Sequence, residues 1–165
     1  MQIRKITASA LLIALGVLSA HLIYIPAGVA KCFPVQHAIN VLAAVILGPR
    51  FAVTIAFVIA CLRNMLGTGS IMAFPGGMLG AALAGLAYQK TKRITLAMAG
   101  EVFGTGILGG LTAWVIAKCL LGSNAVAWFF IPPFLVSTLG GSLIAGLLLR
   151  TGLLQHIAPL DKGAK

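Results

Sequence analysis

"KCFPVQHAINVLAAVILGPRFA", residues 31–52, joins two kinds of chain in one stretch. From Val41 to Leu47 every side chain is apolar, and Gly48-Pro49 closes the run with a turn pair. Ahead of it Lys31, Cys32, Gln36, His37 and Asn40 gather hydrogen-bonding groups at one mouth. A segment that is oily along its length and polar at one end suits a membrane helix, where each backbone and side-chain polar group must be satisfied inside the protein. The reading of this stretch sets the fold, because the apolar character continues on both sides of it.

The chain of 165 residues is 60% hydrophobic and 8% charged, and its mean hydropathy is +1.08. That is more apolar surface than one soluble core of this size hides, so the composition indicates an all-α, polytopic membrane protein. A crossing takes about 20 apolar residues to span roughly 30 Å of hydrocarbon. The length therefore accommodates six crossings and no soluble domain, giving one integral-membrane domain over 1–165. Punctuation by Pro, Gly and charge predicts helices near 6 to 25, 35 to 48, 50 to 66, 76 to 89, 94 to 119 and 128 to 154. The opening "MQIRKITASALLIALGVLSA" has the charge-then-apolar order of a secretion signal, but the apolar stretch runs on through Ile25 and more spans follow, which predicts an uncleaved first helix.

Twelve Lys and Arg against two Asp and Glu give a formal net charge of +10. In a soluble protein that balance suggests nucleic acid. Here the basic residues sit between apolar segments, which assigns them to topology and to anionic lipid. With the N-terminus inside, Arg4, Lys5, Arg50, Lys90, Lys92, Arg93, Arg150, Lys162 and Lys165 all fall on the cytoplasmic side, leaving Lys31, Arg63 and Lys118 elsewhere. The expectation is a six-transmembrane-helix bundle in the cell membrane with both termini cytoplasmic. Spans two and four, at 14 residues each, would reach only about 21 Å. Loops 26–34 and 67–75 are then expected to fold down between longer helices, where irregular backbone is tolerated if it lines a cavity. That arrangement makes an outward-facing pocket.

Gln36, His37 and Asn40 are spaced to share one helical face. They serve either as glue between helices or as ligand groups beside Phe33 and Pro34. His37 as a metal ligand is the weaker option, since no second His, Cys or carboxylate has suitable spacing. The loop "RNMLGTGSIMAFPGG", 63–77, supplies Arg63 and Asn64 as donors and Phe74 as a ring; Arg63 either joins the pocket or snorkels to headgroups. Glu101 is the one carboxylate within the apolar segments, with Thr105, Leu108 and Thr112 close to its direction on a helical wheel. It marks a binding site, or it pairs structurally with Arg63 or Asn64. Small residues at four-residue spacing mark packing faces: Ala10 and Ala14, Gly16 and Ala20, Gly76, Gly80 and Ala84, Gly106 and Gly110, Gly141 and Ala145. Pro132-Pro133 makes the last span start or kink there. Cys32, Cys61 and Cys119 form no CxxC pair and are expected to be small apolar packers.

There is no GxxxxGK[ST] loop, no HExxH, no GxSxG and no pair of carboxylates. The chain has groups to bind a small molecule and none that would power its movement or transform it.

The run "KCFPVQHAINVLAAVILGPRFA", followed by "RNMLGTGSIMAFPGGMLGAALAGL" and "GEVFGTGILGG", resembles the ThiW family, the thiazole-specific substrate-binding S components of energy-coupling factor (ECF) transporters. The resemblance covers about residues 5 to 155. It implies the S-component type of bundle with both termini cytoplasmic and hydroxyethylthiazole, a thiamin precursor, as the ligand, while the missing motifs point to a non-enzymatic role with no cofactor. It also implies a transmembrane coupling subunit and two cytoplasmic ATPases as partners, with Ala10 and Ala14 matching the family's docking strip on the first helix. A neutral thiazole suits the candidate binding residues Phe33, Gln36, His37, Asn40, Asn64, Phe74, Glu101 and Thr105. Alternatives are an S component for thiamin or its pyrimidine precursor, or an intramembrane enzyme using His37 or Glu101.

Overall fold

The computed structural model describes residues 2–27 and 30–151. Helix α1 (Gln2–Leu22) leads into a short antiparallel hairpin, β1 (Ile25–Ala27) and β2 (Ala30–Cys32), with Ile25 opposite Cys32 and Pro26 opposite Lys31. Helices α2 (Pro34–Ile46), α3 (Pro49–Met65) and α4 (Ala73–Thr91) follow. The next rod, Ile94–Leu121, begins as α5 (Ile94–Glu101), widens into a π-helical segment (Val102–Gly109) and ends as α6 (Gly110–Leu121). A 3₁₀ turn (Ala127–Phe129) precedes α7 (Ile131–Arg150).

Proline opens these helices. Pro34 and Pro49 take the first positions of α2 and α3, and Pro132 and Pro133 lie in the first turn of α7, where a missing N–H forfeits no intrahelical bond. Gly48, at φ +90°, makes the turn between α2 and α3.

Helix α2 is the axis. Every residue from Gln36 to Val45 is buried, and α1, α3, α4, α5 and α7 pack around it. Its apolar residues form the core with Ile55, Ile59, Ala81, Ala84 and Ala145. Outer helices turn the opposite way: Leu11, Leu18, Phe103, Val136, Leu143 and Leu147 are exposed. Among the described residues, three helices, Ile3–Leu22, Ile94–Leu121 and Ile131–Arg150, are long and apolar enough to cross a bilayer. An apolar exterior over an apolar core is the signature of an all-α membrane protein.

Glycines allow the close approaches. A Cβ on Gly104 would stand 2.6 Å from Gly80 Cα, so α4 and the π-helical segment meet backbone to backbone. On α7 a Cβ at Gly141 would stand 2.6 Å from His37 Cβ, so that glycine seats α7 against the first turn of α2.

Several boundaries depart from expectation. Helix α1 stops at Leu22, because Ile25–Ala27 and Ala30–Cys32 pair as strands rather than extending the helix or folding down as irregular loop. Helix α4 is not short: its 19 residues reach about 28 Å. "FPGG" looks like a helix breaker, yet Pro75 falls in the first turn, where its ring is tolerated. The π-helical widening was not expected either. Cys32 is buried, with its thiol 3.2 Å from Pro133 O, whereas Cys119 is exposed rather than a packing residue. Lys162 and Lys165 lie outside the described residues.

Candidate ligand-binding site

At the hairpin end of the bundle a cavity of about 540 Å³ opens between α1, the hairpin, α2, the end of α3, the 66–72 turn and α7. This is within the roughly 300–1,000 Å³ of small-molecule pockets. Its wall takes its aromatic surface from Tyr24, Phe33, Phe129, Phe130 and Phe134 and its polar groups from Gln36, His37, Arg63, Thr105 and Ser137.

The polar wall is built in two layers. The first turn of α2 brings Gln36 and His37 to the cavity while Asn40, one turn deeper, is fully buried. Behind His37 stands Glu101, also fully buried, at the junction of α5 and the π-helical segment. One carboxylate oxygen, Oε1, collects three contacts: His37 Nδ1 at 2.9 Å, Asn40 Nδ2 at 3.0 Å and Thr105 Oγ1 at 3.0 Å. Asn40 Nδ2 also donates to Gly77 O at 3.2 Å, and Thr105 Oγ1 lies 2.9 Å from Gly76 O. The carboxylate thereby ties α2 and the π-helical segment together. Asn40's amide, with two N–H groups, also reaches the start of α4, whereas the single hydroxyl proton of Thr105 goes to Glu101 Oε1 or to Gly76 O, and Oε2 has no hydrogen-bond partner among the described residues. A buried carboxylate of this kind persists only when donors meet it.

The carboxylate also sets the face His37 offers. A carboxylate oxygen beside Nδ1 holds the ring proton there, which leaves Nε2 as the free nitrogen at the cavity wall. In the neutral ring Nε2 is an acceptor, suited to a ligand hydroxyl.

Arg63, in the last turn of α3, is the second anchor and is only 4% exposed. It donates through one terminal nitrogen to Gln36 Oε1 and through the other to Thr68 O at 2.7 Å. Its Cζ lies 3.9 Å from the centre of the Phe33 ring. Phe33 is held in turn by its backbone N–H, which donates to Ser137 Oγ at 2.6 Å. At the rim Lys31 Nζ sits 4.7 Å from the centre of the Tyr24 ring.

Of the residues singled out from sequence, Phe33, Gln36, His37 and Thr105 line the cavity, and Asn40 and Glu101 stand behind it. Asn64 and Phe74 are not on its wall. Asn64 turns back to donate to Ala60 O at 2.8 Å, and Phe74 packs edge-on against Phe57 at 6.0 Å between ring centres. The suggested pairing of Glu101 with Arg63 or Asn64 is replaced by His37, because α2 packs against α5 and brings His37 Nδ1 to the carboxylate. Arg63 turns inward and does not snorkel. Tyr24, Phe130, Phe134 and Ser137 escaped the sequence reading; in "FFIPPFLVS" the aromatic cluster beside a helix-starting proline pair was the available sign. Ala10 and Ala14 are exposed on α1, whereas Gly16 and Ala20 face inward.

A family model described as "Thiamine-precursor transporter protein (ThiW)" matches residues 6–155. Searches of curated proteins and of solved structures give no match.

Proposed function

The chain belongs to the ThiW family of thiamine-precursor transporter proteins, and from that premise we propose that it is the substrate-binding S subunit of an ECF-type importer, capturing hydroxyethylthiazole. As a member of a transporter family with membrane-crossing helices it handles a small molecule within a bilayer. The finer reading rests on one observation: a cavity of about 540 Å³ that combines aromatic faces with His37, Gln36, Arg63 and Ser137. A five-membered aromatic ring with a hydroxyethyl tail offers an apolar face to the rings and a nitrogen and a hydroxyl to the polar groups.

In this reading the helices form six membrane spans. Arg4, Lys5, Arg50, Lys90, Lys92, Arg93 and Arg150 stand at the ends of helices opposite the hairpin, so the basic-inside preference puts both termini in the cytoplasm and the cavity at the outer face. His37 binds the hydroxyl through Nε2 while Glu101 and Asn40 fix its ring, and Thr105 closes the floor. A coupling membrane subunit docks on Ala10 and Ala14, and two ATPases supply the energy that this chain has no phosphate-binding loop to harvest. Thiamin is the alternative ligand, and the absence of a carboxylate from the cavity wall among the described residues counts against it.

The test is binding and turnover together. Labelled hydroxyethylthiazole incubated with the purified chain should be bound saturably and recovered unchanged. Chemical conversion of the ligand would replace this reading with an intramembrane enzyme.

A further inference from the structure

We propose that Arg63 is a specificity-determining residue that sets the charge selectivity of the cavity, admitting azoles with a free ring nitrogen and rejecting their N-alkylated cations. The inference rests on the reading of the cavity as a thiazole site and adds how that site chooses.

Charge accounting comes first. The sequence holds two carboxylates, Glu101 and Asp161, and Asp161 lies outside the described residues. Glu101 is fully buried behind His37 and does not reach the cavity wall. Arg63 therefore has no acidic partner among the described residues: Glu101, the sole carboxylate there, pairs with His37. Lys31 stands on the same wall. Among the described residues, the cavity wall presents two fixed cations and no anion.

The aromatic faces point the same way. A cationic ligand is ordinarily received on ring faces, and on two of the five wall rings the protein's own cations already take that position. Arg63 covers Phe33 and Lys31 covers Tyr24.

The donor inventory completes the argument. A guanidinium carries five N–H groups; hydrogen bonds to Gln36 and Thr68 employ one on each terminal nitrogen, Nε–H is buried without an acceptor, and the second N–H of each terminal nitrogen is the donor left for a guest. Pinned at both terminal nitrogens, Arg63 cannot swing out of the site. Its complement is a lone pair. An N-alkylated thiazolium loses that lone pair and adds a like charge, and in a partly desolvated site the penalty is on the order of 100-fold in affinity.

The experiment titrates the purified full-length chain with hydroxyethylthiazole and with its N-methyl thiazolium salt. Wild type should prefer the neutral compound by roughly 100-fold. Arg63→Gln should shrink that preference to about tenfold or less, and Arg63→Lys should keep it. Should Arg63→Gln not yield a monodisperse protein, Lys31→Gln at the exposed rim should narrow the gap several-fold. Equal binding of both compounds by wild type overturns the inference while leaving the thiazole site standing. So does an undiminished gap in Arg63→Gln, or in Lys31→Gln where that variant decides, since the added methyl group then acts by size. Binding of neither compound defeats the ligand reading and this inference with it.

Discussion

Glu101 is the residue on which the site turns. A carboxylate sealed inside an apolar bundle costs several kcal/mol unless donors surround it, and three neighbours converge on its Oε1. Glu101→Ala would leave His37 and Asn40 facing an empty space, with an expected loss of about 3 kcal/mol. Glu101→Gln, which keeps one acceptor oxygen, should lose about half as much. Thermal unfolding of the three proteins in detergent checks this, and indistinguishable melting curves would mean that the carboxylate braces nothing. His37→Ala should weaken hydroxyethylthiazole binding by roughly tenfold or more through the lost hydrogen bond, measured by calorimetry on folded protein; unchanged affinity would return His37 to a purely structural role. The grouping of Gln36, His37 and Asn40 was legible in the sequence because helical spacing alone puts them on one side of a turn. The partner of Glu101 was not, since choosing among His37, Arg63 and Asn64 depends on how helices distant in the chain rotate against each other.

At the scale of elements, the contact of α4 with the π-helical segment decides whether Glu101 and Thr105 face inward. Gly80 and Gly104 allow that contact, and a Cβ on Gly80 would stand 2.6 Å from Glu101 Oε2. Gly104→Val should therefore cost about 1–3 kcal/mol and also reduce ligand binding, because pushing the rods apart displaces Thr105 from Gly76 O and from the cavity floor. A variant that melts and binds like wild type would show that the interface gives way freely. The sequence announced Gly80 within a ladder of small residues at four-residue intervals, but on the facing rod it pointed to Gly106 and Gly110, whereas Gly104 makes the contact. It concealed the π-helical widening, whose wider turn has no compositional mark beyond the glycines themselves. It also misrepresented the start of α4, because Pro75-Gly76-Gly77 has the composition of a loop and the geometry of a first turn.

For the whole molecule, the proposed reading divides the labour spatially. The cavity occupies the hairpin end, while Ala10 and Ala14 lie on the exposed face of α1 beside Leu11 and Leu15. Replacing Ala10 and Ala14 together with Leu should leave binding to the isolated chain within about twofold, as exposed positions usually tolerate substitution, but abolish uptake in cells that carry the coupling subunit and ATPases. Normal uptake would move the docking surface elsewhere. The membrane class was plain from hydropathy, because no core of this size hides so much apolar surface. The position of the pocket followed from polar groups at one mouth of α2. Its aromatic lining depended on α7 crossing that mouth, a tertiary fact with no local signature. The most direct measurement of the central claim is calorimetric titration of hydroxyethylthiazole into wild-type protein and into Ala73→Trp, which fills the cavity from its wall without removing a polar group. The account predicts saturable one-to-one binding to wild type and at least a hundredfold loss in the filled variant. Equal binding by both folded proteins, or none by wild type, would contradict it.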